Sequence, residues 1–177
     1  MIDGPLPAHP ERSELLRRLR SRLPKLADPL EIVAEQILGL ESRIDFVAKD
    51  QHGQVVLVFL ADRGSDLSLL ADSLAQRSWM EPRVADWLKL APQLGLRPEL
   101  GVRVLLLAPH LDPRTIAAAR SVAGLDIDLG ICRPVRGGAG IEILIDIPDA
   151  PPPASTPVAE PHASRFRTGL REEELGG

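Results

Sequence analysis

The chain has 177 residues, which is enough for one domain whose core can hold it together without cross-links. Apolar residues make up 44% of the sequence and aromatic residues only 3%, so the core has to be built from Leu, Val, Ile and Ala. A net charge of −4 gives no general attraction to nucleic acid, and the single cysteine, Cys132, excludes an internal disulfide. A lone cysteine suits a cytoplasmic location, and no apolar run approaches the roughly 18 residues of a membrane-spanning helix.

Two helices are predicted in the N-terminal part of the chain. Leucines at helical spacing predict a helix over residues 11–23. Asp28 as N-cap and Pro29 at the first helical position predict a second helix, which runs through LEIVAEQIL and stops at Gly39. Residues 1–10 contain three prolines and are expected to be a flexible segment ahead of the folded domain.

The rest of the domain is predicted to form a mixed sheet. Strands are predicted at residues 43–49, 55–61, 102–109, 126–135 and 141–148. The stretch 65–94 predicts two helices separated by Pro82, and residues 111–124 predict a helix capped by Asp112. A strand–helix–strand unit with a fully apolar strand implies a central mixed sheet with helices on both faces. The predicted fold is therefore α/β over residues 11–148.

Residues 149–177 are predicted to be a disordered, proline-rich tail. The segment DAPPPASTPVAEPHAS cannot bury enough apolar surface to fold by itself. The following RFRTGLREEELGG carries Phe166 and Leu170 four residues apart, a small apolar stripe that could dock on a partner as a helix. A protein partner is therefore expected, with a homodimer as an alternative, and no association with a membrane.

The hairpin RIDFVAKDQHGQVVLVFLADRG, residues 43–64, carries the most informative pattern. Asp45 lies on its first strand, a turn follows at Gly53, and an apolar second strand runs from Val55 to Leu60. Together with the element order and the unit VRVLLLAPHLDPRTIAAARS, this hairpin resembles the PD-(D/E)XK, or restriction-endonuclease-like, superfamily. The resemblance is to its RecB-like and archaeal mismatch-endonuclease-like branches and covers roughly residues 26–135. It implies a restriction-endonuclease-like α/β fold.

The resemblance also implies where a nuclease site would lie. In active members, acids on an early helix, on the first strand and in a (D/E)-x-K motif hold one or two Mg²⁺ that activate water. Carried onto this sequence, Asp45 takes the place of the first-strand Asp, and Glu31 or Glu35 could stand for the helix acid. The (D/E)-x-K motif falls on Phe59-Leu60-Ala61, so the carboxylate and the lysine are both missing. Strand alternation puts Phe59 and Ala61 on one face.

These departures imply a catalytically inactive nuclease-like domain that acts as an interaction or regulatory module, with no catalytic residues and no cofactor. Mg²⁺ needs near-octahedral oxygen ligation, which Asp45 and a distant Glu beside Phe59 supply poorly. Asp62 lies on the opposite face by alternation, and Arg63 keeps its proton and cannot serve as a general base. With its acidic partners missing, Asp45 is expected to hold little like-charge strain, so Asp45→Asn would be nearly neutral or slightly stabilising. If Asp45 instead makes a structural hydrogen bond, the change would cost about 1–3 kcal/mol.

Other interpretations stay open. One is an active metal-dependent nuclease with displaced acids, which would need Mg²⁺; another is an adaptor that docks through its tail; a third is an α/β domain with no nuclease ancestry. Arg17, Arg18 and Arg20 belong to the densest positive stretch and could contact nucleic acid or an acidic partner, or could form a solvated helix face. Cys132, in LGICRPV, is predicted to be buried and unreactive.

Overall fold

The computed structural model describes residues 10–137 and 140–148. Its helices are α1 Arg12–Arg22, α2 Asp66–Met80, α3 Val84–Leu90 and α4 Pro113–Ser121. Its strands are β1 Glu31–Leu38, β2 Arg43–Lys49, β3 Val55–Leu60, β4 Val102–Ala108, β5 Ile127–Gly137 and β6 Gly140–Asp146. Residues 1–9 of the predicted flexible segment 1–10 lie outside the described residues, as does the tail 149–177 with Phe166 and Leu170. Within the described ranges, no helix has the length and apolar character needed to cross a membrane.

The six strands form one sheet in the order β1-β2-β3-β4-β5-β6. Strand β2 is antiparallel to both of its neighbours, β1 and β3. Strands β3, β4 and β5 are parallel, and β6 returns antiparallel to β5. The parallel strands need crossovers, which are supplied by α2 with α3 and then by α4. This topology confirms the predicted α/β fold with a central mixed sheet flanked by helices.

The two faces of the sheet are covered by different helices. Leu19 of α1 packs on one face with Phe46 and Leu60. The other face is covered by α2, α3 and α4, where Met80 and Ala119 are buried against the strands. The faces alternate along β3, so that even-numbered residues face α1 and odd-numbered residues face α2 to α4. This alternation decides which side chains can meet at the end of β3.

The predicted second helix is wrong, because residues 31–38 form strand β1. Asp28 and Pro29 are a local helix-start signal, but the β-branched residues that follow favour a strand. Pairing with β2 gives this segment its backbone partners, with Ile37 opposite Ile44. Gly39 is therefore no helix C-terminus. A side chain at this position would collide with that of Gln76. Gln76 donates hydrogen bonds to the backbone oxygen and the hydroxyl oxygen of Ser42.

The other predicted elements are present with small changes in their ends. Pro82 separates α2 from α3, as predicted, within a short 3-10 turn, Glu81–Arg83. Asp112 caps α4 by accepting the N–H of Arg114, and this helix ends at Ser121, three residues before the predicted glycine. Strand β4 is almost wholly buried, as its apolar sequence predicts. The helices and strands that follow the hairpin are therefore those that their sequence patterns predict.

Candidate functional site

Asp45 lies in β2 at the point where the regular pairing with β3 stops. The paired residues run from Lys49 opposite Val55 to Phe46 opposite Val58. Beyond them, the backbone N–H of Leu60 donates to Asp45 Oδ2 at 2.8 Å, so a side-chain oxygen takes over from the strand ladder. Asp45 is only 3% exposed. Its carboxylate is therefore a structural part of the sheet.

Arg12, the first residue of α1, supplies the counter-charge to this carboxylate. Its Nη2 lies 3.0 Å and 2.9 Å from the two oxygens of Asp45. Its Nη1 donates to the backbone oxygen of Leu60 at 2.8 Å and to Asp62 Oδ1 at 3.2 Å. Four oxygens from three residues thus face one guanidinium. Arg12 thus gives the buried carboxylate of Asp45 the charged partner that burial requires.

Asp45 therefore makes a structural hydrogen bond and an ion pair, which is the alternative to the expected, nearly neutral Asp45→Asn change. The early helix does approach Asp45, but it brings an arginine and not an acid. The sequence contained a signal for this contact: Arg12 precedes Leu15 and Leu19 by three and seven residues, which places it on the same helix face. That face packs on the sheet, so its first side chain reaches the end of β3.

Phe59 and Ala61 share one face, as predicted, but it is the face opposite α1. Phe59 is fully buried against Met80 and its neighbours, and Ala61 is buried against Leu70. The side chain that joins Asp45 around the guanidinium is that of Asp62. The residues that meet Arg12 at the end of β3 are therefore Leu60 and Asp62, each one position after the predicted Phe59 and Ala61. Even a carboxylate and a lysine at positions 59 and 61 would point into the core under α2.

The acids proposed for the helix position lie elsewhere. Glu35 is on β1 and not on a helix, and its Oε1 lies 2.8 Å from Arg20 Nε. Glu31 lies on the same strand and pairs with Lys49 at 3.2 Å. Each is thus bound by its own cation. The assignment of Glu31 or Glu35 as a helix acid is wrong because the segment is a strand.

The arrangement at Asp45 does not fit a Mg²⁺ ion. Among residues 10–137 and 140–148, no group of three or more His, Cys, Asp or Glu side chains could hold a metal. The oxygens that could serve as ligands are those that already accept from Arg12. A cation could reach them only if the guanidinium left, and Mg²⁺ would still lack most of an octahedral set.

The exposed face of α1 carries the three arginines proposed to contact nucleic acid or a partner. Arg18 and Arg17 both donate to Glu14, and their hydrogen bonds hold the pKa of that carboxyl below its usual value. Arg20 pairs with Glu35 on β1. Each arginine therefore has an acidic neighbour, and the positive charge of α1 is partly compensated within the domain.

A cavity of about 280 Å³ lies beside Arg12 at the end of β3. Its lining includes Leu60, Asp62, Arg63 and Cys132. Cys132 is 3% exposed, and burial raises the pKa of its thiol to about 11. The thiol is therefore protonated at neutral pH, which agrees with the predicted inert, buried cysteine.

A larger cavity, of about 400 Å³, lies at the opposite end of the sheet and has a different character. Arg103 on β4 reaches into it and donates to Asp28 Oδ2 at 2.9 Å, with Asp128 Oδ2 at 3.6 Å. Burial raises the pKa of Asp128, although the nearby guanidinium opposes this shift. Its lining holds one cation, Arg103, and three carboxylates, those of Asp28, Asp128 and Asp146, and it is separate from the Asp45 site.

Comparisons with known proteins give fold relatives only. No protein-family model and no curated protein matches the chain. A repair endonuclease from Pyrococcus abyssi matches 69% of this chain and 48% of its own, with 17% identity and a TM-score of 0.44. A structure described as an EndoMS–dsDNA2 complex matches 73% and 48%, with 13% identity and a TM-score of 0.42. The chain spans about half the length of these structures. The likeness is one of fold.

Proposed function

We propose that this chain is a catalytically inactive, nuclease-like domain that acts by binding a partner. The observation that carries the proposal is the guanidinium of Arg12 held by Asp45, Leu60 and Asp62. A metal-dependent nuclease needs those oxygens for a divalent ion, and here an internal cation takes them. The positions that the resemblance assigns to the carboxylate and the lysine, Phe59 and Ala61, are buried in the core.

The alternative of displaced catalytic acids now has a specific form. Asp62 is the acid that shares Arg12 with Asp45, so an active enzyme would have to use both carboxylates after Arg12 had moved away. Arg12 makes hydrogen bonds to three residues there, and breaking them would leave Asp45 buried and uncompensated. The paired state is therefore the stable one, and it is not a metal-binding state.

Cleavage assays test this proposal. We expect no Mg²⁺- or Mn²⁺-dependent cleavage of single-stranded, double-stranded or branched DNA above the buffer background. Asp45→Asn and Asp62→Asn, each checked by circular dichroism for folding, are the matched controls. Cleavage by the unchanged protein that both variants abolish would overturn the proposal and establish a nuclease with Asp45 and Asp62 as its acids.

Nucleic acid is a second candidate partner, and we propose Arg17, Arg18 and Arg20 as its contacts. Their side chains are 68%, 37% and 64% exposed. Exposed ion pairs contribute only about 0–1 kcal/mol, so these arginines could exchange Glu14 or Glu35 for a phosphate at little cost. Because Glu14 and Glu35 compete with the phosphate for these arginines, binding should be weak, and it should be sensitive to salt.

Fluorescence anisotropy with labelled DNA measures this contact. Replacing all three arginines by Ser should abolish binding, whereas Ser at Arg83, Arg97 and Arg120, which lie elsewhere on the domain, should leave it unchanged. Binding by the unchanged protein should disappear by about 200 mM salt, because phosphate contacts are electrostatic. Binding that survives both the triple change on α1 and the salt would show that the contact lies elsewhere.

A further inference from the structure

The two edges of the sheet differ in how they are protected. Edge strand β1 is irregular: its register with β2 shifts between Ile32 and Ala34, and Gln36 has a φ of 53°. Such irregularities hinder the addition of another strand. Edge strand β6 is regular, because all seven of its residues pair with β5 without a bulge. Among the described residues, no strand pairs with the outer side of β6.

The sequence of β6 suits antiparallel pairing with a second copy of itself, because one face carries only isoleucines. Ile141, Ile143 and Ile145 alternate with Glu142, Leu144 and Asp146. The central isoleucine is 7% exposed and belongs to the core under α1, while Leu144 on the other face is 54% exposed. An open edge that also carries an exposed leucine is a surface on which an additional strand gains both backbone hydrogen bonds and apolar contact.

We propose that β6 pairs antiparallel with β6 of a second copy of this chain, about a twofold axis through Ile143. This register places Glu142 opposite Leu144 of the partner subunit, and Ile141 opposite Ile145 of the partner subunit. No acid then faces an acid. The two six-stranded sheets join into one continuous sheet, in which the exposed leucine is covered.

Charge selects this register over its neighbours. Moving the axis to Leu144 brings Glu142 opposite Asp146 of the partner subunit, on both sides of the axis. Moving it to Glu142 brings the two copies of that glutamate face to face. Like charges directly opposite one another destabilise a strand pair. The axis through Ile143 avoids both contacts and pairs all seven residues of the strand, so the pattern of acids fits a second copy of the same strand.

Sedimentation velocity of the full chain tests the pairing. We expect a dimer, and we expect Leu144→Glu to weaken it about tenfold or more, because two Glu–Glu contacts replace two Glu–Leu contacts. The double variant Glu142→Lys with Leu144→Glu restores opposite charges across the axis and should restore the dimer. Leu90→Glu, at a leucine that is 85% exposed on α3, is the matched control and should not change the association.

Three results would overturn the proposal. One is a monomer at all concentrations, including a monomer whose β6 amides resist hydrogen exchange because another segment covers the edge. Another is a dimer that Leu144→Glu does not weaken, since its interface would lie elsewhere. The third is a double variant that stays as weak as Leu144→Glu alone, since that would exclude the register through Ile143.

Discussion

Asp45→Asn is expected to lower the free energy of unfolding by about 3 kcal/mol. The carboxylate accepts a hydrogen bond from the backbone N–H of Leu60, and both of its oxygens accept from Arg12 Nη2. Its side chain is only 5% exposed. An Asn oxygen in the place of Oδ2 could still accept from Leu60 and Arg12, but the NH₂ group would take the place of Oδ1 and point a donor at Arg12 Nη2. The guanidinium would also lose its closest counter-charge.

Thermal and urea unfolding measure this effect. For a chain of this length, 3 kcal/mol corresponds to a fall in Tm of about 6–12 °C. Asp62→Asn is the control, because its side chain is 75% exposed and makes one contact with Arg12 at 3.2 Å. It should stay within about 0.5 kcal/mol of the unchanged protein. If Asp45→Asn were equally mild, Asp45 would not be a structural anchor.

Asp66→Asn is expected to cost about 2 kcal/mol at pH 7. Asp66 begins α2, is 4% exposed and accepts the N–H of Asp112 at 2.8 Å, which ties this helix to the start of α4. Burial alone would raise the pKa of Asp66, but hydrogen bonds to its carboxylate lower the pKa below the ordinary 3.8. A lowered pKa in the folded state means that this stability is present above pH 3.8 and is lost as the pH falls through the folded value.

The pH dependence of the free energy of unfolding shows whether Asp66 stabilises the fold as a charged carboxylate or as a neutral hydrogen-bond acceptor. Urea unfolding at pH 7 and at successively lower pH should show the difference between the unchanged protein and Asp66→Asn shrinking toward acid. Asp72→Asn, at an exposed position on α2, should show no such trend. A difference that stayed constant with pH would mean that the charge of Asp66 contributes nothing to stability.

Local patterns predicted most of this fold. Continuous apolar runs identified β3 and β4 because strands inside a parallel sheet are buried on both faces. Strand β1 was missed because its helix-start signal at Asp28-Pro29 is local, whereas its pairing with β2 is a tertiary contact. Propensity is a weak guide when such a contact decides the structure.

The candidate site was predicted less well than the fold, and for a related reason. The sequence correctly showed that positions 59 and 61 carry no acid and no lysine, and that they share a face. It did not show that Arg12, 33 residues before Asp45, would supply the missing cation. That pairing depends on how α1 crosses the sheet. The leucines of α1 show which helix face is buried, but they do not show where on the sheet that face packs.

Binding of Mn²⁺, followed by paramagnetic broadening of backbone amide NMR signals, tests the central claim most directly. If Arg12 holds the oxygens of Asp45, Leu60 and Asp62, millimolar Mn²⁺ should produce no selective, saturable broadening of the signals around Asp45 and Leu60. This titration uses the unchanged chain, so it locates any bound ion without a destabilising substitution. Saturable broadening centred on these residues would show a divalent-cation site there, and would contradict the account of an arginine-paired, inactive nuclease fold.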